Sequence, residues 1–265
     1  MQTTQGEGGQ EFVGKVAVVT GGARGIGRAI AEKLYAQGAR LILVDHNGDI
    51  GAATVNEIRQ SGRAAVDFVF ADLGNPAGIV QMAEKIAGLE TNIDVLVNNA
   101  GIELDLPLNE ITAEAFDRVI AVNLRAPFLV TQALVAMFPE TGGAVVNISS
   151  IHSTHAFANA IPYACSKAGL IALTRNLALE LGHKKIRVNA VCPGYIDTAL
   201  WDHWLSSSSD PESLATQTAA LHPLGRRGLP EDVAAAVLYL ASPAAGWVTG
   251  THLVVDGGLT VRAHP

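Results

Sequence analysis

The sequence predicts an α/β chain built on a doubly wound parallel sheet of about seven strands, and three observations predict it. Short runs of β-branched residues and leucine alternate with helical stretches of about 10 to 20 residues. The runs are apolar throughout rather than at every second position, as in strands covered on both faces. A glycine-rich turn separates the first strand from the first helix, where a parallel sheet opens toward a ligand.

Taken in order, Val16–Thr20 reads as the first strand, followed by a helix over about Gly25–Gln37 that Gly38 stops, and by strand Leu41–Asp45. A helix over about Gly48–Gln60, strand Ala64–Phe70, a helix over about Asn75–Leu89 and strand Val95–Asn98 complete the first half. The second half repeats the rhythm with helix Thr112–Met137, strand Ala144–Ser149, helix Pro162–Leu181 and strand Ile186–Val191. A long polar loop then leads to helix Pro230–Ala241 and a last strand, His252–Val255. Residues 1–11 carry hardly an apolar side chain and read as a mobile tail, with structure beginning at Lys15. Residues 12–265 read as a single Rossmann-type domain, with no linker, no repeat of fixed period, and a mobile substrate lid over about 195–227.

Composition narrows the function. With 265 residues, 49% of them hydrophobic, the chain can bury a core. Only 16% are charged and the net charge is −7, so no basic field exists to collect nucleic acid or anionic lipid. No apolar run approaches the roughly 20 residues of a spanning helix, and the first residues lack the pattern of a signal peptide; a cytoplasmic protein is expected. Cys165 and Cys192 have neither zinc-like nor CxxC spacing and read as reduced thiols.

Two motifs carry chemistry. Thr20-Gly21-Gly22-Ala23-Arg24-Gly25-Ile26-Gly27 lies at the strand-to-helix handover, where glycines let backbone approach a pyrophosphate and the helix N-terminus offers unpaired N–H groups. Asp45 ends the second strand, at the separation of an acid that accepts from the adenosine ribose hydroxyls and repels a 2′-phosphate. Taken alone it is equally a turn residue before His46-Asn47-Gly48. Tyr163 and Lys167 stand at i and i+4 on one helix face, beyond a strand whose C-terminal end opens at the same sheet edge as the glycine turn. A phenol becomes an acid–base group near neutrality when nearby cations stabilise its phenolate. Ser150 is placed to hydrogen-bond a substrate oxygen beside it.

These residues resemble the classical short-chain dehydrogenases/reductases. The resemblance runs in order from the glycine turn through Asp72-Leu73, Asn98-Asn99-Ala100-Gly101, Asn123, Ser150, Tyr163, Lys167 and Pro193-Gly194 to Val255-Asp256-Gly257-Gly258. It implies that Tyr163 is the catalytic acid–base, that Ser150 polarises the carbonyl or alcohol, and that Asn123 holds a relay water. Lys167 is implied to bind the nicotinamide ribose and lower the tyrosine pKa. Ser150 rather than Ser149 matches the family because it lies 13 residues before Tyr163. For the cofactor, the resemblance implies contacts from Gly21, Arg24, Ile26, Gly27 and Asp45, and from Asp72 and Leu73 at the adenine. Asn99, Ala100 and Gly101 are implied to line the cleft, and Pro193, Gly194, Ile196 and Thr198 to touch the nicotinamide end. It also implies a homotetramer, which the Ala- and Leu-rich helices at 112–137 and 164–182 have the apolar surface to support.

Arg24 precedes Gly25 and favours NADP, whereas Asp45, with no basic residue close behind it, favours NAD; NAD is the expected cofactor. Trp201, His203, Trp204 and Ser206–Ser209 in the lid, with Glu103, His152 and His155 in segments facing the pocket, suit a small polar secondary alcohol of sugar or polyol type. The same side chains also read as exposed loop residues; no metal site is expected from them. An NADPH-dependent carbonyl or 3-oxoacyl-thioester reductase is the alternative, and a non-catalytic nucleotide-sensing module a second.

Overall fold

The computed structural model describes residues 10–62, 64–206, 208 and 210–262. Strands β1 (Val16–Thr20), β2 (Arg40–Asp45), β3 (Val66–Phe70), β4 (Val95–Asn98), β5 (Gly143–Ile148), β6 (Ile186–Pro193) and β7 (His252–Val255) form one parallel sheet. Their order is β3-β2-β1-β4-β5-β6-β7. The chain winds outward from β1 to β3, then returns to the other side of β1 at β4. Connections therefore leave in opposite directions at the β1/β4 boundary, and a crevice opens beyond the strand C-termini there.

Helices α1 (Gly25–Ala36), α2 (Gly48–Gln60) and α3 (Pro76–Leu89) make the first crossovers. Asn47 caps α2 by accepting from Ile50 N–H at 3.1 Å, and Asn75 caps α3 from Ala77 N–H at 3.0 Å with Pro76 at the first position. In the second half, α4 (Ala113–Ile120) and α5 (Ala126–Leu134) precede β5, and α6 (Ile161–Leu181) follows it. Helices α7 (Ala199–Ser206), α8 (Pro211–Leu221) and α9 (Pro230–Ala241) lie between β6 and β7. Successive strand residues enter opposite cores: Ala17, Val19, Leu41 and Leu43 pack with Ile30, Leu34, Val233 and Val237, whereas Val18, Ile42 and Val44 pack with Met82, Ile86, Val130 and Leu134. That double coverage is why the central strand residues are apolar on both faces.

Four expectations change. The helix foreseen at Thr112–Met137 is interrupted by a π-helical turn, Ala121–Arg125, and ends in a 3-10 turn, Val135–Met137; one extra residue in a turn leaves the apolar spacing helical. Ala113–Met137 is also long and apolar enough to cross a membrane by length and composition, at mean hydropathy 1.6. Half of its apolar stretch is buried inside the fold, as in a core helix. The polar loop of the lid region contains two helices, α7 and α8, with Asp210 capping the second by accepting from Ser213 N–H at 3.0 Å. Order begins before Lys15, because Phe12 is 2% exposed and donates its N–H to Gln37 O at 3.0 Å. The rest of the expected tail, residues 1–9, lies outside the described residues.

Candidate active site

At the C-terminal end of β1 the backbone has room for nothing beyond hydrogen. Gly21 has φ +62, and a Cβ there would lie 2.9 Å from Ala100 Cα. A Cβ on Gly27 would collide with the Gly21 carbonyl and Asn99 Nδ2. Asn99 braces this turn: its Nδ2 donates to Thr20 O and Gly21 O, both at 3.0 Å, while Thr20 Oγ1 accepts from Asn99 N–H at 3.0 Å and Ala100 N–H at 3.1 Å. The Asn99 side chain is thus committed to bracing the turn.

Arg24, the residue before α1, makes no side-chain cap, so the first-turn N–H groups of α1 remain open to an anion. Thr198 Cγ2 lies 3.6 Å from where a Gly25 Cβ would stand, which brings the segment after β6 over this turn. Asp45 is buried at the end of β2 and aims back at it, accepting from Ala23 N–H at 3.3 Å and from Asn47 N–H at 3.1 Å, with His46 Nδ1 at 3.2 Å. Asp72 accepts from Gly74 N–H at 2.9 Å and pairs with Arg118 at 3.2 Å. A backbone cradle that any Cβ would fill, an uncapped helix start and a carboxylate at the end of β2 fit a dinucleotide. Leu73 and Ile196 bury their side chains in the two cores, so only their main chains remain for a ligand. Pro193 ends β6, and Gly194, whose N–H donates to Val255 O at 3.0 Å, presses against Asp256.

The second half of the crevice holds the phenol. Ser150 follows β5 in extended conformation; its Oγ accepts from His152 N–H at 3.2 Å and is hydrogen-bonded to Tyr163. Ser149 instead donates to Lys167 O at 2.9 Å. Lys167 is 4% exposed, donates to Ile148 O at 2.8 Å, and holds its Nζ 5.4 Å from the Tyr163 ring centroid. Asn123 sits in the π-helical turn with its side chain fully occupied. Its Oδ1 accepts from Ile102 N–H at 2.9 Å and its Nδ2 donates to Ile102 O at 2.8 Å and Ser166 Oγ at 3.1 Å. A Cβ on Gly101 would lie 3.4 Å from both Asn123 Oδ1 and Lys167 Nζ.

Burial dominates the electrostatics. It pushes the Tyr163 phenol above its ordinary value, with the charges of Glu103 and Asp105 adding to it and the Ser150 hydrogen bond opposing. In the protein alone the phenol is thus raised on balance, although Lys167, which donates to the Ile148 carbonyl, holds its ammonium beside the ring. Lys167 itself is pulled down to about 8 by burial. Glu103 is pushed up to about 7 by burial, then by Asp105, with Lys167 opposing. His152 falls to about 4, through burial and then the charge of Lys167, so its ring is neutral at physiological pH.

Of the substrate-side residues foreseen, Glu103 and His152 join the site. The His152 ring stacks on Phe157 at 4.1 Å and meets Tyr163 edge-on at 5.2 Å. His155 is exposed and bonded to Thr154 Oγ1 at 3.0 Å. Trp201 is buried under the Arg227 guanidinium, 4.4 Å away, and edge-on to Tyr195 at 6.1 Å, so its face is already covered. The side chains of His203 and Trp204, and residues Ser207 and Ser209, lie outside the described residues. Asp105, Phe157 and Tyr195 were not singled out for this site by sequence; only the i, i+2 relation of Asp105 to Glu103 offered a signal. Among the described residues no three His, Cys, Asp or Glu side chains gather as metal ligands would.

A family model described as enoyl-(acyl carrier protein) reductase matches residues 21–260. The 3-oxoacyl-(acyl-carrier-protein) reductase of Aquifex aeolicus is 38% identical, covering 93% of this chain and 97% of its own. The 3β-hydroxysteroid dehydrogenase 1 of Eggerthella lenta is also 38% identical, covering 95% of each. The ligand-free aldohexose dehydrogenase of Thermoplasma acidophilum superposes with TM-score 0.84 at 34% identity, covering 95% of this chain and 96% of that one.

Proposed function

The chain belongs to the short-chain dehydrogenase/reductase family, and from that premise we propose that it oxidises a small polar secondary alcohol, of sugar or polyol type, with NAD. As a member it is an oxidoreductase acting on CH–OH or carbonyl groups with a nicotinamide cofactor, and the reading as a non-catalytic sensing module falls away. The observation that carries the finer reading is the half-buried Glu103 on the wall beside Tyr163, a carboxylate that can accept from hydroxyls and is out of place against an acyl chain or a steroid. Asp45 supports NAD, since its buried carboxylate would repel a 2′-phosphate.

In this reading Ser150 holds the substrate oxygen by a hydrogen bond, and the hydroxyl proton leaves to Tyr163 in its phenolate form while hydrogen leaves the carbon with its electron pair. A bound nicotinamide cofactor would accept that hydride. Lys167 is held in place through Ile148, against the Tyr163 ring, to add positive charge on the phenolate side. Asn123 fixes the Gly101–Ile102 wall through its side chain, so that its main-chain carbonyl would be the group to hold a relay water. Gly21, Ile26, Gly27, Ala100 and Gly101 would hold the dinucleotide along the turn, with Thr198 at the nicotinamide end.

A second reading, reduction of a 3-oxoacyl thioester with NADPH, is favoured by the Aquifex relative and by the exposed Arg24 beside the turn. Initial rates with NAD and NADP on polyols and sugars, against 3-hydroxyacyl thioesters and hydroxysteroids, separate the two. The proposal expects the highest kcat/KM for a polyol with NAD; a higher value for a thioester with NADP overturns it.

A further inference from the structure

A threonine inside a helix can return its hydroxyl to the carbonyl one turn back, and three threonines of this chain do so. Thr174 donates to Leu170 O at 2.7 Å, Thr216 to Glu212 O at 3.0 Å and Thr218 to Leu214 O at 2.7 Å. Thr54, in the middle of α2 and 2% exposed, sends its hydroxyl elsewhere. Its Oγ1 donates at 2.8 Å to Ala23 O, 31 residues earlier, in the glycine turn. Threonine is a weak helix former, and an apolar side chain would fill the same buried place with no hydroxyl to satisfy.

The bond holds the start of the cradle. Ala23 is itself buried, and its N–H donates to Asp45 Oδ2 at 3.3 Å, so α2 and the end of β2 grip both polar groups of one residue. The ladder of α1 opens with Arg28 N–H donating to Arg24 O at 3.2 Å. Ala23 O is the carbonyl one place earlier, the acceptor that would take Gly27 N–H and wind the helix back into the turn. Turned to Thr54, this carbonyl stays out of α1, and the first-turn N–H groups remain open to an anion. The same grip orients Asp45, whose other oxygen, Oδ1, accepts from Asn47 N–H at 3.1 Å.

We propose that Thr54 is a positioning residue for the adenosine and pyrophosphate half of the dinucleotide. Buried behind the turn, it acts through Ala23 on the N–H groups that open α1 and on the carboxylate of Asp45. The proposal rests on the cradle as a dinucleotide site, and on neither the identity of the alcohol nor the choice between NAD and NADP.

The test is calorimetric titration of ADP-ribose, NAD and NADP into the unaltered protein, Thr54→Val, which keeps the shape and removes the donor, and Thr54→Ser, which keeps the donor. All are measured below the melting range of the least stable protein, and Thr54→Ala, which also lacks the donor, takes the place of Thr54→Val if that variant folds poorly. Loss of the donor should weaken ADP-ribose and the better-bound dinucleotide by about 10-fold or more, the scale of leaving a buried carbonyl unpaired. Thr54→Ser should stay within about threefold of the unaltered protein. In turnover the loss in Thr54→Val should fall on KM for the dinucleotide, with kcat at saturation held within about threefold. Unchanged ADP-ribose affinity without the donor, or an equal loss in Thr54→Ser, overturns the inference and leaves the dinucleotide cradle standing. Binding of none of the three ligands by the unaltered protein overturns both.

Discussion

Replacing Glu103 by Gln keeps the shape and an acceptor oxygen but removes the charge, and the environment of Glu103 sets the size of the effect. Its carboxyl is pushed from 4.5 to about 7, chiefly by burial and then by Asp105. Because the folded value lies above the unfolded one, the folded protein binds more protons between them, and stability is lost as pH rises from about 4.5 through about 7. At about 1.4 kcal/mol per pH unit the full loss is about 3 kcal/mol, of which roughly 2.5 falls between pH 5 and pH 8.5. Glutamine carries no such penalty, so the variant should match the original protein near pH 5 and exceed it at pH 8.5. Each kcal/mol is worth about 2 °C in a chain of this size, so the gap in Tm should widen by about 5 °C across that range. Thermal or urea melts at the two pH values measure it. Parallel profiles with a constant gap would mean that Glu103 is solvated in the folded protein, and the argument for a dry wall beside Tyr163 would fail. The same substitution removes a charge that holds the phenol up, so the rise of the oxidation rate with pH should move to lower pH.

Three further outcomes are expected. Tyr163→Phe should lower turnover by at least about 100-fold while dinucleotide affinity, read by fluorescence quenching, stays within a few-fold; near-original turnover would remove Tyr163 from the proton transfer. Asp45→Ala should raise the NADP-to-NAD ratio of kcat/KM by about 10-fold or more, since a charged hydrogen bond to the ribose and the repulsion of a 2′-phosphate go together. An unaltered protein that already prefers NADP would contradict the role given to Asp45. Light scattering at micromolar concentration should return four times the 27.6 kDa chain mass, because Phe128 and Leu179 stand exposed on α5 and α6; a single chain mass would exclude the tetramer.

What could be read from the sequence is what local pattern encodes. Val16–Thr20 and Val95–Asn98 are visible as strands because both sheet faces are covered, so each is a continuous apolar run up to its last residue, Thr20 or Asn98. The π-helical turn at Ala121–Arg125 is invisible for the opposite reason, since inserting one residue leaves the helix apolar on the same side. Helices α7 and α8 were hidden by the serines at 206–209, which read as loop although Asp210 caps the second helix. The meeting of Ser150, Tyr163 and Lys167 was legible because a strand end and an i, i+4 pair fix where the three fall. The division of work between neighbours was not. Ser149 and Ser150 are both buried, yet one is committed to the Lys167 carbonyl and the other faces the phenol. His152 and His155 lie three residues apart, yet the first is inside the 3-10 turn Ile151–Ser153 that Ser150 caps and the second is bonded to Thr154 in solvent.

Charge was the least legible property, because it is set by what surrounds a group in space. Sequence spacing placed a lysine beside the tyrosine and so suggested a lowered phenol. In the fold two carboxylates from a loop 60 residues earlier also face the phenol, and the lysine is turned to a backbone carbonyl. The phenol is thus held protonated in the protein alone. In the proposed mechanism its deprotonation would need added positive charge in the crevice, which a bound nicotinamide cation would supply.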